Sequence, residues 1–287
     1  LVSQSNKADL IIEKNIHNPK NNPDKTIFLI HEPPVEDKYT RQYSPEFRLS
    51  FFRVYSIICN TANSRNIVPH PLYFWQPHND SNNEVKDLQN RTVVFYGRCG
   101  KGIIGNEPHI FGNISSLSLY PLRRKIVSDM KQMYPEFHVF GEEWPKEYGV
   151  PGAPGRRSEN FRKAKVRHIR ENKYNFVLCL ENAILENYFT EKLWDVYNSG
   201  AVPIYLGMPG IEKYVNPASF IDGRLFFDYS NYKFNSSGLL DFIHDLSEQE
   251  YDTMVRAGFE VIKSEVKNRF LNRDSLTENL IHELNSR

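Results

Sequence analysis

The sequence predicts an α/β protein in which parallel sheets are covered by helices on both faces. Short β-rich runs alternate with amphipathic helical stretches along much of the chain. Several of those runs are apolar throughout and end abruptly at Gly, Pro or a polar residue, as buried strands that feed loops do. The 287 residues, 40% of them hydrophobic, suffice for one large domain or two smaller ones.

The first such run, Thr26 to Ile30, is Thr-Ile-Phe-Leu-Ile, and it stops at His31-Glu32-Pro33-Pro34. A second strand, Thr92 to Tyr96, ends at Gly97 and leads into Gly-rich sequence through Gly112. From Pro121 to Tyr134, Leu122, Ile126, Met130 and Met133 recur at helical spacing, and Phe137 to Phe140 supply a strand closed by Gly141. Tyr148 to Ser158 carries Pro151-Gly152 and Pro154-Gly155, the composition of a flexible loop. A basic helix over Glu159 to Asn172 precedes a strand, Asn175 to Leu180. The next helix runs from Thr190 to Asn198, is stopped by Gly200, and gives way at once to the strand Val202 to Leu206. The last third reads as helical, with capping boxes at Ser247/Glu250 and Ser275/Glu278.

The global balance, 36 basic against 35 acidic residues, gives a net charge of +1 and steers the chain toward neither nucleic acid nor an anionic membrane. The basic stretch Arg156 to Lys173 has few interleaved aromatics, so it reads as a solvated helix beside an anionic ligand rather than a nucleic-acid surface. Three cysteines, Cys59, Cys99 and Cys179, have no CxxC spacing and point to a reducing compartment. No transmembrane segment is present in the sequence, which makes the expected location cytoplasmic or membrane-peripheral, with a Golgi lumen the alternative if an N-terminal anchor was removed. Four N-x-[ST] sequons begin at Asn79, Asn90, Asn113 and Asn235; in a chain this rich in Asn, Ser and Thr they do not establish secretion. Gly97-Arg98-Cys99-Gly100-Lys101 misses the phosphate-loop spacing and reads as a turn.

Candidate chemistry is densest between Leu180 and Trp194. A buried strand delivers Glu181 and Asn182 at its C-terminal end, where open α/β sheets bind ligands. Thr190 can cap the following helix, which puts Glu191 and Lys192 in its first turn, where the helix's positive end and the ammonium both attract phosphate. Glu191 can accept hydrogen bonds from sugar or ribose hydroxyls, and Tyr188 offers a flat surface for a base or ribose. The same Glu191-Lys192 pair is equally compatible with a solvated pair on a capped helix.

Three segments, Tyr174-Asn175-Phe176-Val177-Leu178-Cys179-Leu180-Glu181-Asn182, Tyr188-Phe189-Thr190-Glu191-Lys192-Leu193-Trp194 and Val202-Pro203-Ile204-Tyr205-Leu206-Gly207, together resemble the signature of the α1,3/α1,4-fucosyltransferase family, as does Asn216 to Ile221. Leu180 stands where that family has an aromatic, a change a buried apolar position tolerates. The resemblance implies a GT-B fold, two Rossmann-like lobes facing a cleft. It implies an N-terminal acceptor-binding lobe over residues 1–105, a GDP-sugar-binding lobe over 106–270 and a C-terminal helix over 271–287. It also implies an inverting transfer of L-fucose from GDP-fucose to an oligosaccharide hydroxyl, in α1,3 linkage. On the matching positions, Lys192 resembles the pyrophosphate lysine, Glu191 the glutamate on donor hydroxyls, Asn182 the donor-site asparagine and Arg123 the phosphate arginine.

The general base of the family matches Glu32, which Pro33 restricts to extended geometry; His31 is its rival, and Glu36, Asp37 and Glu46 lie farther from the strand end. Little precedes Glu32, so the N-terminal lobe is expected to be reduced or truncated. No Asp-x-Asp occurs, so no metal cofactor is expected and Lys, Arg and backbone N–H groups must neutralise the leaving GDP. Two alternatives stay open: a transferase for another GDP-sugar, and a non-catalytic nucleotide- or carbohydrate-binding module.

Overall fold

A computed structural model of the chain describes residues 87–88, 91–100, 108–111, 114–134, 136–148, 161–186 and 188–267, together with residues 19–20, 22 and four short strands nearer the N-terminus. Those four, β1 (Ile11–Lys14), β2 (Thr26–Ile30), β3 (Arg53–Ser56) and β4 (Ile67–Pro69), form a parallel sheet in sequence order. Parallel neighbours need crossover connections, the hallmark of an α/β lobe.

The larger sheet has five parallel strands: β5 (Val93–Tyr96), β8 (His138–Phe140), β9 (Phe176–Leu180), β11 (Val202–Leu206) and β12 (Ile221–Asp222). They lie in the order β12-β11-β9-β5-β8. In chain order that is 2-1-3-4-5, a doubly wound sheet whose connections change direction between β5 and β9. β5 therefore belongs to this sheet, with Val93 opposite Phe176 and Val94 opposite His138. The lobe boundary expected at residue 105 is corrected on this ground: an apolar strand with two parallel partners sits in the interior of the second sheet, so that lobe begins before Val93.

Alternate residues of these strands feed two separate cores. Val93, Phe95, Phe176, Leu178, Leu180, Val202, Ile204 and Leu206 face one cluster; Val94, Tyr96, Val177, Cys179 and Tyr205 face the other. The first is covered by α1 (Tyr120–Met133) through Leu122, Ile126, Val127 and Met130, and by α4 (Ser236–Asp245) through Leu239 and Ile243. The second is covered by α2 (Phe161–Glu171) and α3 (Lys192–Ser199), whose Leu193, Trp194, Val196 and Tyr197 are all buried. The last described helix, α5 (Glu248–Lys267), reaches both: Tyr251, Val255 and Phe259 join the first cluster, Val261 and Ile262 the second.

A smaller sheet has the order β10-β7-β6 and contains β6 (Pro108–Phe111), β7 (Ile114–Ser118) and β10 (Ala183–Ile184). It pairs Ala183 with Ser118 and so ties the start of α1 to the turn after β9. β13 (Phe227–Asp228) and β14 (Lys233–Phe234) form a hairpin before α4. The Ser247/Glu250 capping box forms as expected: Glu250 Oε2 accepts from Ser247 N at 2.8 Å, and Ser247 Oγ accepts from Glu250 N at 3.2 Å. Gly200 adopts φ 71° and closes α3, as a left-handed C-cap must. Among the described residues no helix is long and apolar enough to cross a membrane. All but Tyr148 of the loop expected over Tyr148 to Ser158, residues 159–160, the C-terminal residues 271–287 and the sequons at Asn79, Asn90 and Asn113 lie outside the described residues.

Candidate functional site

Topology alone places a ligand crevice at the C-terminal mouth between β5 and β9, where the connections diverge to opposite faces. Gly97 to Cys99 follow β5 there, and Glu181 and Asn182 follow β9. Arg123, the fourth residue of α1, reaches into this point. Its Nη1 donates to the Arg98 carbonyl at 3.2 Å, and its Nη2 to the carbonyls of Leu180 at 3.0 Å and Glu181 at 2.9 Å and to Asn182 Oδ1 at 3.2 Å. One guanidinium thus joins the ends of both switch-point strands.

Leu119 N donates to the Asn182 carbonyl at 2.9 Å, which fixes where α1 starts and hence where Arg123 lands. The guanidinium lies over the Tyr120 ring, 4.7 Å from its centroid, and the residue is only 2% exposed, with Nε unpaired. Burial draws its pKa below the ordinary arginine value, and Tyr120, Tyr188 and Glu181 oppose that shift.

The second cation is Lys192, first residue of α3. Its Nζ lies 2.8 Å from Glu181 Oε2 and 2.7 Å from Thr190 Oγ1. Glu181 is wholly buried and also accepts from Thr190 N at 2.9 Å and Thr190 Oγ1 at 2.8 Å. Desolvation alone would lower the Lys192 pKa; the Glu181 and Glu191 carboxylates outweigh it and hold the ammonium above its ordinary value, with Arg123 working against them. Gly207 makes room for this arrangement: a Cβ there would stand 2.5 Å from Glu181 Cγ and 2.6 Å from Tyr205 Oη.

Glu191 takes the N-cap position of α3 without a capping side-chain bond. Desolvation would raise its pKa, but Lys192, Lys165 and Arg162 prevail and keep its carboxyl below the usual range. Chemically, the mouth offers two clustered cations, an amide and an ionised carboxylate, a set suited to a diphosphate and the hydroxyls attached to it.

Of the residues read from the sequence, Arg123, Asn182 and Lys192 converge on the mouth of β9, with Glu191 beside Lys192. Tyr188 does not offer the expected open platform: it is 2% exposed. Thr190 does not cap α3: the N-cap position falls on Glu191, and the Thr190 hydroxyl donates to the buried Glu181 and accepts from Lys192 Nζ. The basic helix is only partly solvated. Lys163 and Arg167 are exposed, whereas Arg162 and Lys165 reach the buried Asp195 of α3. Glu32, with His31, Glu36, Asp37 and Glu46, lies outside the described residues. Sequence reasoning did not find the part played by Glu181 as the partner of Lys192, nor that of Asp195; the i,i+3 spacing of Arg162 and Lys165 beside apolar Val166 and Ile169 was the available signal for the latter.

The profile of "Glycosyltransferase family 10 (fucosyltransferase) C-term" matches residues 107–252, half of the chain. The chain is similar to an alpha-(1,4)-fucosyltransferase of Arabidopsis thaliana, 30% identical over 156 residues, which are 52% of this chain and 34% of that protein. It is also similar to GDP-fucose protein O-fucosyltransferase 3 of Xenopus tropicalis, 47% identical over 53 residues, 18% of this chain and 11% of that one. The matched region spans about a third of the first relative and about a tenth of the second. A crystal structure of an alpha1,3-fucosyltransferase with GDP shares the fold at a TM-score of 0.53 and 17% identity, over 92% of this chain and 80% of that one. With an α/β architecture of the GT-B kind and a family profile over half its length, the chain belongs to glycosyltransferase family 10, the fucosyltransferases.

Proposed function

We propose that this protein transfers L-fucose from GDP-fucose, with inversion, to a hydroxyl of an oligosaccharide acceptor in α1,3 linkage. The observation that carries the reading is the convergence of Arg123 and Lys192 on the switch-point mouth beside Asn182. Arg123 and Lys192 repel one another, and a diphosphate between them would offset that repulsion. Glu191, held ionised, accepts from donor hydroxyls.

In the reaction the acceptor oxygen attacks the anomeric carbon of fucose and the bond from that carbon to the β-phosphate oxygen breaks. The electron pair leaves with GDP, where Lys192 and Arg123 stabilise it. The acceptor's proton passes to Glu32, the proposed base. No metal is assigned a step.

The likeness to a protein O-fucosyltransferase favours one further reading, in which the accepting hydroxyl belongs to a polypeptide. Thermal shift with GDP, GDP-fucose and UDP-galactose in EDTA tests the donor; labelled GDP-fucose offered to glycan and peptide acceptors tests the rest. Stabilisation by the GDP compounds alone supports the proposal. Equal stabilisation by UDP-galactose, or a strict Mn²⁺ requirement for turnover, overturns it.

A further inference from the structure

Arg162 and Lys165 stand three apart on α2 and both reach into α3. Arg162 Nη2 donates to Asp195 Oδ1 at 2.9 Å and Lys165 Nζ to Asp195 Oδ2 at 3.2 Å. Asp195 is wholly buried and the Lys165 side chain is 7% exposed, so the ion pair is desolvated. Farther along α2, Arg170 Nη2 donates to the Asn198 carbonyl at 2.9 Å, in the last turn of α3. α3 is therefore held from α2 at both ends. Its first turn is the held part that matters for the site, because the Asp195 N–H donates to the Glu191 carbonyl at 2.9 Å and Lys192 lies between them in sequence.

Two cations around one buried carboxylate are a poor way to stabilise a helix contact, since apolar residues of similar volume serve as well or better. Their orientation gives them another use. We infer that Arg162, Lys165 and Asp195 are positioning residues that set the first turn of α3, so that the affinity of Glu191 and Lys192 for a nucleoside diphosphate sugar depends on α2. This rests on the donor-site reading of those two residues. Two effects combine. Asp195 fixes the orientation of the turn, and the two α2 cations add to Lys192 in holding the Glu191 carboxyl below its ordinary range. Glu191 is faced by Lys192 and Asp195 from its own helix and by Arg162 and Lys165 from α2, while Glu181 at the end of β9 holds Lys192 from the other side.

Arg162→Gln is the test, because that side chain is 29% exposed and its loss leaves Lys165 to pair Asp195. GDP binding by calorimetry and the titration of the Glu191 carboxyl by carbon NMR are the two readouts, with melting temperature recorded beside them. GDP affinity should fall about 10- to 100-fold, the usual cost of losing a residue that orients a ligand contact. The Glu191 titration should move to higher pH. Arg162→Lys should restore both, and Lys165→Met should shift both in the same direction as Arg162→Gln. A purely structural brace would lower the melting temperature and leave both readouts where they were; that result in both variants overturns the inference. Failure of the wild-type protein to bind GDP would instead sink the donor-site reading. The Glu191 titration needs no ligand, and an unmoved titration there would still overturn the role of α2.

Discussion

Lys192 Nζ and Glu181 Oε2 are 2.8 Å apart, and the carboxylate of that pair has no exposed surface. The lysine proposed to bind phosphate is thus also the counter-ion of a buried acid. Lys192→Met should cost about 3–5 kcal/mol of stability, the penalty for stranding a buried charge, besides abolishing GDP binding. Glu181→Gln combined with Lys192→Met should regain most of the stability and none of the binding. Urea unfolding and calorimetry with GDP separate the two effects; recovery of GDP affinity in the double variant would show that Lys192 touches no phosphate.

Arg123→Ala should slow fucose transfer by about 10²-fold or more, since it removes charge next to the departing GDP. Arg123→Lys should rescue little. A single ammonium cannot span the carbonyls of Arg98, Leu180 and Glu181 together with Asn182 Oδ1 as the planar fork does. Steady-state kinetics of the two variants decide this, and wild-type rates for Arg123→Ala would move the phosphate role to an arginine between 156 and 170.

Glu32→Gln keeps shape but cannot accept a proton. Transfer should fall roughly 10²- to 10⁴-fold while GDP-fucose affinity stays near that of the wild type. Glu191→Gln should do the reverse, weakening donor affinity first. Comparing kcat with the donor Kd in both variants is the discriminating measurement. An active Glu32→Gln enzyme would transfer the base role to His31 or another carboxylate.

Two pKa shifts set the edges of the pH-stability curve. Glu191 is depressed below its ordinary 4.5, so its contribution is complete above that value and is lost as pH falls through the lower folded value. Lys192 is raised above 10.5, so its contribution is complete below that value and is lost as pH rises through the higher folded one. Thermal melts should therefore show no pH dependence from either residue between about pH 6 and 9, where both contributions are fully present. Glu191→Gln should flatten only the acid edge, and a pH-dependent change in stability near neutral pH traceable to either residue would contradict the assignment.

Elements whose signals are local were legible in the sequence. The strand Val202–Leu206 and the stop at Gly200 appear where the residues put them, because an apolar run and a left-handed C-cap need no distant partner. The capping box at Ser247 is another such case. Thr190 is no cap for the opposite reason: α3 starts one residue later, and the Thr190 hydroxyl joins a cluster with Lys192 Nζ and Glu181, the latter nine residues away across a turn. Tyr188 reads as a platform from its flat ring alone, whereas its burial depends on the tertiary fold, which residue type does not carry. The place of β5 likewise depended on strands forty and eighty residues downstream. The donor cluster could be named because one contiguous stretch carries most of it; its supports, Glu181 as counter-ion and Asp195 with its two cations, are visible only when helices are laid side by side.

The reach of α5 across both cores also bears on how the chain is made. Synthesis delivers residues 248–267 after every strand of the larger sheet, yet Tyr251, Val255 and Phe259 finish one apolar layer and Val261 and Ile262 the other. On the ribosome the larger sheet therefore waits with both apolar layers incomplete until α5 emerges. A nascent chain paused before residue 248 is the form a chaperone has most reason to hold.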